Sequence, residues 1–486
     1  MSVNLKKLFT LSLVTLPIAS HALPVDWHGS FGVDSTMITD YRHLNNKTVN
    51  TTGNNTQETA LAAGLKADAS FQTYILRLAP DVIINDTATF KSEFTTGYAS
   101  GGFLGDKPAT SVSSNGNVTN YYYNQAGSQN LTLKKAYVEL NADTATWLIG
   151  RHTIDTWALG AMFSDGKDES GRDTWDRFAY SRDGVTAKFK FNNFYVTPFW
   201  TQSSNTGVTR STDSKEWGSS FLYDNKEKEI AFGLYYSKKS NNSFNSFYKG
   251  IDGSTNLGAT DLKVTDIYFK KIFGKFNFAL EIPLQTGELG HVINSTTDTT
   301  ISSKAILFQS NYQHNDAWTF GFDFGDVSGN DGNTGKFSAS YLNPNYQVAN
   351  ILFHYNRNAF ADGSTESIFD SYITNTRYFK LRANYLSEKW NLDFGFITAS
   401  AKEVAKAGVA SYNHTKNKFF TASQNQSDSL GSELDFNARY KWNKEISIGT
   451  GLGYFMTGDY FAFTDTATPN KVKNSLLLQI NTLITF

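Results

Sequence analysis

The stretch KNSLLLQINTLITF, residues 473–486, ends the chain on an aromatic residue and shows the pattern on which the predicted fold rests. One face of an extended chain would take every second residue, namely Leu476, Leu478, Ile480, Thr482, Ile484 and Phe486. The other face would carry Gln479, Asn481 and Thr485, with Leu477 and Leu483 as apolar exceptions. A period of two predicts a strand whose faces meet different surroundings. Since a strand rises about 3.3 Å per residue, a tilted segment of this length can cross the hydrocarbon layer of a bilayer.

The first 22 residues predict a secretory signal peptide. Lys6 and Lys7 precede an apolar run over residues 8–18, and Ala19-Ser20-His21-Ala22 supplies small residues at the cleavage point. The apolar run is too short to span a bilayer as a helix. A buried N-terminal helix is the alternative interpretation. We expect a mature chain of residues 23–486.

The composition favours a membrane barrel. The chain has 38 Phe, 25 Tyr and 9 Trp but only 8 Pro, and its mean hydropathy is negative. A polar average with many aromatic residues suits strands of which one face meets lipid and the other water, although a large soluble β protein could share it. The absence of cysteine excludes disulfides and thiol chemistry. A formal net charge of −1 gives no argument for nucleic acid as a partner.

Alternating segments recur along the chain and predict about 18 strands. Short turns such as Ala142-Asp143-Thr144 and Ser387-Glu388-Lys389 alternate with long polar loops. An edge strand of a soluble sheet would show the alternation, but a soluble sandwich has no reason to place every long loop at one end. Outer-membrane barrels do so, with short turns in the periplasm and long loops outside. The sequence therefore predicts an all-β fold, a single closed antiparallel transmembrane barrel integral to the outer membrane.

Two loops are too apolar to be freely solvated. Residues 154–175 contain Trp157 and Met162, and residues 326–374 contain Ile351 and Phe353. We expect both loops to fold into or over the pore, within one domain spanning residues 23–486. Local bulges or strand ends are expected at three prolines that fall inside proposed strands, Pro80, Pro198 and Pro283.

Several short motifs resemble those of Gram-negative outer-membrane porins. Ala136-Tyr137-Val138, followed by Gly150-Arg151-His152 and Trp157-Ala158-Leu159-Gly160, is similar to the hairpin and constriction-loop entry of many porin families. Leu430-Gly431-Ser432-Glu433-Leu434-Asp435, the Gly-rich strand to Tyr454 and Gly458-Asp459 resemble the last hairpin of 18-stranded alginate-export-type barrels.

The end of the chain adds to this resemblance. Ile480, Ile484 and Phe486 are similar to the signal by which outer-membrane proteins are recognised for insertion. The resemblance implies an outer-membrane channel whose partners are the lipid bilayer, lipopolysaccharide and the insertion machinery. Both a homotrimer and a monomer fit the sequence.

If apolar residues mark the lipid face, the opposite parity marks the lumen. Charged residues fall on this parity in many strands, because a charge at mid-bilayer on the lipid face costs about 2–4 kcal/mol. The predicted pore-lining residues are Arg77, Lys91, Lys135, Glu139, Arg182, Lys188, Lys190, Glu281, Asp323, Lys380, Arg382, Asp393, Glu433, Asp435, Arg439 and Lys441. They are of mixed sign with a modest basic bias, which predicts slight anion selectivity.

The predicted function is passive diffusion of small hydrophilic solutes or ions. A channel specific for charged oligo- or polysaccharide, with lumen Arg and Lys residues binding carboxylates, is one alternative. A structural or adhesive barrel with a blocked lumen is another. Most tryptophans fall at proposed strand ends, which indicates interfacial anchoring, and an aromatic path for sugars inside the lumen stays open.

The sequence predicts no enzyme, cofactor or metal. Asp323, Asp326 and Asp331 hint at a calcium loop, but their spacing departs from the twelve-residue pattern and a closing Glu is missing. The histidines form no His-x-x-x-His pair, and the chain contains no Gly-x-Ser-x-Gly elbow.

Overall fold

The computed structural model describes most of the barrel and part of its loops, namely residues 23–41, 68–96, 102–103, 131–164, 181–204, 214–241, 259–291, 298–333, 335–357, 371–414, 418–463 and 472–486. The predicted signal peptide, residues 1–22, lies outside the described residues. So do residues 165–175 and 358–370 of the two loops predicted to fold inward.

Eighteen strands form one closed antiparallel ring, in which each strand pairs with its sequence neighbours and β1 pairs with β18. In chain order they are β1 Val25–Ile38, β2 Ala69–Asn85, β3 Ala88–Thr96, β4 Leu131–Asn141, β5 Ala145–Thr153, β6 Ser181–Phe191, β7 Phe194–Ser204, β8 Ser214–Asn225, β9 Ile230–Asn241, β10 Thr260–Phe273, β11 Phe276–Glu288, β12 Thr300–Gln313, β13 Trp318–Val327, β14 Thr376–Leu386, β15 Trp390–Ala401, β16 Ser429–Lys441, β17 Ile446–Thr457 and β18 Ser475–Thr485. The predicted closed barrel is confirmed.

The connections alternate in length, so all short turns lie at one end of the ring, called here the turn end. The long connections lie at the other, the loop end. The ring closes at the turn end, where the Gly29 amide donates to the Phe486 carbonyl at 2.7 Å and the Phe486 amide donates back at 3.0 Å. A Cβ atom on Gly29 would lie 2.4 Å from the Phe486 ring, so only glycine fits beneath that side chain.

The two faces of the strands differ as the alternation predicts. On β17, Leu452 and Tyr454 are exposed on the outer face, whereas Gly451, Gly453 and Phe455 are buried on the inner face. Ile480 and Phe486 are likewise exposed on the outside, and Ile484 is half-buried on the same face. Aromatic pairs on neighbouring strands ring the turn end, including Trp318–Tyr385, Trp390–Tyr440 and Phe276–Tyr312, with centroids 5.1, 4.8 and 4.9 Å apart. This arrangement is typical of a lipid interface.

The three prolines interrupt pairing without ending a strand. Around Pro80 the ladder to β3 skips from Leu78–Phe94 to Asp81–Lys91, while Pro80 stays paired with Trp27 on the other side. Pro198 and Pro283 show the same one-sided gap. The expectation of local bulges or strand ends at these prolines is therefore wrong, since the register is unchanged across each gap. Each proline removes a donor toward one neighbour only, and the other neighbour holds the strand in line.

Smaller elements lie at the loop end. Gly102–Phe103 pairs with β2, Lys336–Phe337 pairs in parallel with β12, Ala410–Asn413 and Lys418–Thr421 form a hairpin, and Asp459–Ala462 is a 3₁₀ helix. None of the helices in the described ranges is long and apolar enough to cross a membrane.

Candidate functional site in the barrel interior

The first lumen loop, residues 154–164, lies against the inner wall of β7–β11. Trp157 is buried against Tyr235 and Tyr268, with ring centroids 5.9 and 6.5 Å apart. Its ring fills the space that a side chain at residue 233 would occupy, since a Cβ on Gly233 would lie 2.7 Å from it. The backbone amide of Leu159 donates to Glu281 Oε2 at 2.7 Å. An aromatic anchor and a carboxylate thus hold this loop inside the ring.

The second lumen loop, residues 335–357, lies against the opposite wall. The amides of Ile351 and Leu352 donate to Oε1 and Oε2 of Glu433, both at 2.7 Å. Asn350 adds hydrogen bonds from its side chain to Asn437 Oδ1 at 3.0 Å and to the Leu452 carbonyl at 2.8 Å.

The two loops contact each other and build an apolar core inside the ring. The Asn343 amide donates to the Ala161 carbonyl at 2.7 Å. Buried residues of the second loop pack on inward side chains from β12 round to β2, among them Leu307, Ile397, Phe455, Leu477, Ile38 and Ile75. Leu477, an exception to the alternation of β18, is apolar because it faces this core and not water.

The predicted pore-lining residues all lie on the inner parity of their strands, but they differ in exposure. Six are buried, namely Arg182, Glu281, Asp323, Lys380, Glu433 and Asp435. The others are at least partly exposed, namely Arg77, Lys91, Lys135, Glu139, Lys188, Lys190, Arg382, Asp393, Arg439 and Lys441. Glu281 and Glu433, both 0% exposed, contact the lumen loops and not open space. That any of these residues governs permeation stays a prediction.

Charged side chains on the inner faces of the neighbouring strands β3 and β4 form ion pairs with each other. Lys91 Nζ lies 3.2 Å from Glu139 Oε2, and the two side chains keep 32% and 20% of their surface exposed. Glu93 lies 2.7 Å from Lys135 and 3.6 Å from Lys134. A bulge between Glu93 and Phe94 brings Lys134 to the same side as Lys135.

The suggested calcium loop has other partners. Arg382 donates to both carboxylate oxygens of Asp323 at 2.7 Å, and Asp326 pairs with Arg377 and Lys402. Asp331 accepts the amide of Asn333 at 2.9 Å. Within the described ranges, no group of three or more His, Asp or Glu residues is placed to hold a metal ion.

Arg182 is held among aromatic side chains. Its Nη2 donates to the Tyr235 hydroxyl at 2.8 Å, and its guanidinium carbon lies 3.6 Å from the centre of the Phe199 ring. Its Nε has no hydrogen-bond partner, and no described carboxylate forms an ion pair with it. The side chain borders a cavity of about 480 Å³ toward the loop end, which is also lined by Glu216, Lys239, Phe163, Tyr341 and Tyr372.

Some interior carboxylates, among them Asp266 and Glu93, were missed by the sequence analysis, although the alternation could have found them. Asp266 lies between the outward-facing Thr265 and Ile267, and Glu93 lies between Ser92 and Phe94. Asp266 is fully buried, two residue pairs along the ladder from Glu281 on the neighbouring strand. That neighbour comes from the adjacent strand, so no local pattern announces the pair.

A closed ring with an apolar exterior and a charged, loop-lined interior defines a transmembrane β-barrel. No protein-family model matches the chain, and no curated protein sequence matches it.

Solved outer-membrane barrels resemble the fold. OccK8 (OprE) of Pseudomonas aeruginosa is 11% identical with a TM-score of 0.49, over 95% of this chain and 98% of that one. OprD of the same organism is 8% identical with a TM-score of 0.49, over 96% and 95%. The trimer form of OmpT from Vibrio cholerae is 8% identical with a TM-score of 0.38, over 96% and 100%. Likenesses this distant do not bear on what this chain transports.

Proposed function

We propose that this protein is an outer-membrane porin, a passive diffusion channel for small hydrophilic solutes or ions, and not an enzyme. The proposal rests on the difference between the side chains that are exposed on the inner face of the barrel wall and those that are exposed on its outer face. Lys91, Lys135 and Glu139 keep part of their surface exposed inside the ring, while Leu381, Leu434 and Ile480 expose theirs outside. Exposed charges require water inside, and exposed apolar residues require lipid outside.

Purified protein in planar bilayers tests this proposal. We expect discrete, ohmic single-channel steps at low voltage. A barrel that folds and inserts without conducting would contradict the proposal and favour the structural or adhesive barrel with a blocked lumen, for which the apolar core of the second lumen loop is the argument.

Arg182 supports a preference for anions, as the wall charges predict. Its guanidinium group is buried, is oriented by Tyr235 and Phe199, and forms no ion pair with a described carboxylate. Such a charge makes the local electrostatic potential more positive, which favours anions. In a salt gradient we expect a reversal potential of anion-selective sign. Arg182→Gln should move it toward zero, whereas Lys226→Gln in the exposed β8–β9 turn should change it less. A cation-selective channel would refute this preference.

The charged-oligosaccharide channel makes a different prediction. Added uronate oligomers should then block the current at concentrations at which neutral sugars do not, because carboxylates pair with Arg and Lys. The proposed assembly partners, namely lipopolysaccharide and the insertion machinery, and the choice between monomer and homotrimer are addressed by crosslinking the protein in its native membrane.

A further inference from the structure

Glu281 and Glu433 were expected to filter ions, but their surroundings fit another role. Both side chains are 0% exposed, so a passing solute cannot reach them. Each carboxylate instead accepts hydrogen bonds from the backbone of a lumen loop. Glu433 accepts the amides of Ile351 and Leu352, and Glu281 accepts that of Leu159.

We propose that Glu281 and Glu433 are positioning residues that hold the two lumen loops against the barrel wall and thereby set the width of the open path. The inference rests on the proposed channel function. It deepens that function by assigning pore width to two buried side chains and not to the ring of strands.

The hydrogen bonds explain why one side chain can decide the position of each loop. Each carboxyl group supplies an acceptor for backbone donors that would otherwise lack a partner in the barrel interior. Without the carboxylate, consecutive buried amides would have no acceptor, and they could regain one only by leaving the wall for water. A further polar contact between the first loop and the wall, Lys188 to Asp155 at 2.5 Å, is largely exposed and therefore weak.

Glu281 and Glu433 differ from other buried carboxylates of the wall by their position beside the loop amides. Asp266 is equally buried on the neighbouring strand, yet neither of its carboxylate oxygens accepts a hydrogen bond from the first loop. This makes Asp266→Asn a matched control. It changes a buried wall carboxylate beside Glu281 while leaving the acceptor of the loop amides in place.

The test combines conductance with a thiol-accessibility measurement, which the natural absence of cysteine makes clean. Ala161 of the first loop and Ala349 of the second are both 0% exposed, so Ala161→Cys and Ala349→Cys should resist a water-soluble maleimide in the parent barrel. Adding Glu281→Ala should make Cys at position 161 reactive and raise the single-channel conductance. Adding Glu433→Ala should do the same for position 349. Asp266→Asn should leave both readouts at the parent values.

The possible outcomes separate the two proposals. Folded Glu281→Ala and Glu433→Ala barrels with protected thiols and parent conductance would overturn the positioning role. A parent barrel that does not conduct would overturn the channel function, while thiol accessibility would still decide whether the carboxylates hold the loops. If an alanine variant does not fold, Glu281→Gln and Glu433→Gln test the positioning role instead. Glutamine has nearly the same shape as glutamate but only one acceptor oxygen in place of two. Their thiols should react at an intermediate rate.

Discussion

At the scale of single residues, His414 shows how one buried ring joins separate segments at the loop end. Its Nε2 accepts the amide of Asn330 at 2.8 Å, and its carbonyl accepts the hydroxyl of Tyr341 at 3.0 Å. The Tyr412 ring packs edge-on against it, with centroids 5.0 Å apart. Only the neutral ring can accept at Nε2, and burial lowers the pKa of His414 to about 3.

This geometry predicts acid sensitivity at the loop end. An opened segment would titrate near the ordinary histidine pKa of about 6.5, so the open form binds more protons between about pH 6.5 and 3. The stability of the closed form is therefore complete above about pH 6.5 and falls as the pH drops, by about 2 kcal/mol at pH 5. Limited proteolysis of the hairpin Ala410–Asn413 and Lys418–Thr421 should accelerate with acid.

Two substitutions distinguish the effect of protonating His414 from other effects of acid on the barrel. His414→Gln keeps an acceptor for the Asn330 amide but does not titrate, so its proteolysis should depend little on pH. His314→Gln in the β12–β13 turn should retain the parental dependence. Equal pH profiles for the parent and His414→Gln would contradict the assignment.

At the scale of elements, two bidentate ion pairs join neighbouring strands in different surroundings. Arg382 and Asp323 connect β14 and β13 inside the ring, with side chains 22% and 5% exposed. Arg151 and Asp183 connect β5 and β6, with side chains 43% and 47% exposed. Removing one partner of a buried pair leaves an uncompensated charge, whereas water compensates an exposed one.

We therefore expect Asp323→Asn to lower the free energy of unfolding by about 3–5 kcal/mol, with Asn311 retaining part of the Arg382 hydrogen bonding. Asp183→Asn should cost about 1 kcal/mol or less. Urea unfolding of the barrel in lipid vesicles measures both. Similar losses for the two variants would show that the interior near Asp323 is as wet as the rim.

The two faces of the sheet predict a second contrast. Leu381 is 58% exposed on the outer face in the middle of β14, and Leu381→Arg should cost about 2–4 kcal/mol in a bilayer. Gln309 lies at a similar level on the inner face of β12, opposite Asp323. Gln309→Arg should cost less because the inner face around it is polar, with Asn311 and the Asp323–Arg382 pair nearby. Unfolding in vesicles checks this, and a larger cost for Gln309→Arg would reverse the assignment of the faces.

At the scale of the whole molecule, closure of the ring depends on pairing between its first strand, β1, and its last strand, β18. Phe486 joins β18 to β1 by two backbone hydrogen bonds and covers Gly29. An open ring would leave two unpaired edges, which a bilayer does not tolerate. The terminal aromatic residue therefore serves closure in the fold, besides its predicted part in the insertion signal.

Phe486→Ala should lower the yield of folded barrel in the outer membrane several-fold. Phe273→Ala is the matched control, because Phe273 is also an exposed aromatic residue at the turn end, 60% against 58% exposed, but takes no part in closure. Heat-modifiable migration on gels measures the folded fraction. Equal yields for the two variants would contradict a special role for the terminal residue.

The barrel can be predicted from local patterns in the chain. Each strand exposes one face to lipid and the other to the interior, so the alternation that ends in Ile480, Ile484 and Phe486 is a local record of the surroundings. The same rule placed Arg182, Lys380 and Glu433 on the inner wall. It could also have placed Asp266, which Thr265 and Ile267 flank.

The contacts of the inner wall cannot be predicted in this way. Alternation shows that Glu281 and Lys91 both face inward, but it cannot show that Glu281 meets loop amides from 122 residues away while Lys91 stays partly exposed. Likewise, it treats Leu477 as an exception, because the apolar core that covers this residue comes from a distant loop. The side of the sheet on which a side chain lies is set by its own strand. The residues that it contacts there belong to distant segments that the closed ring brings together.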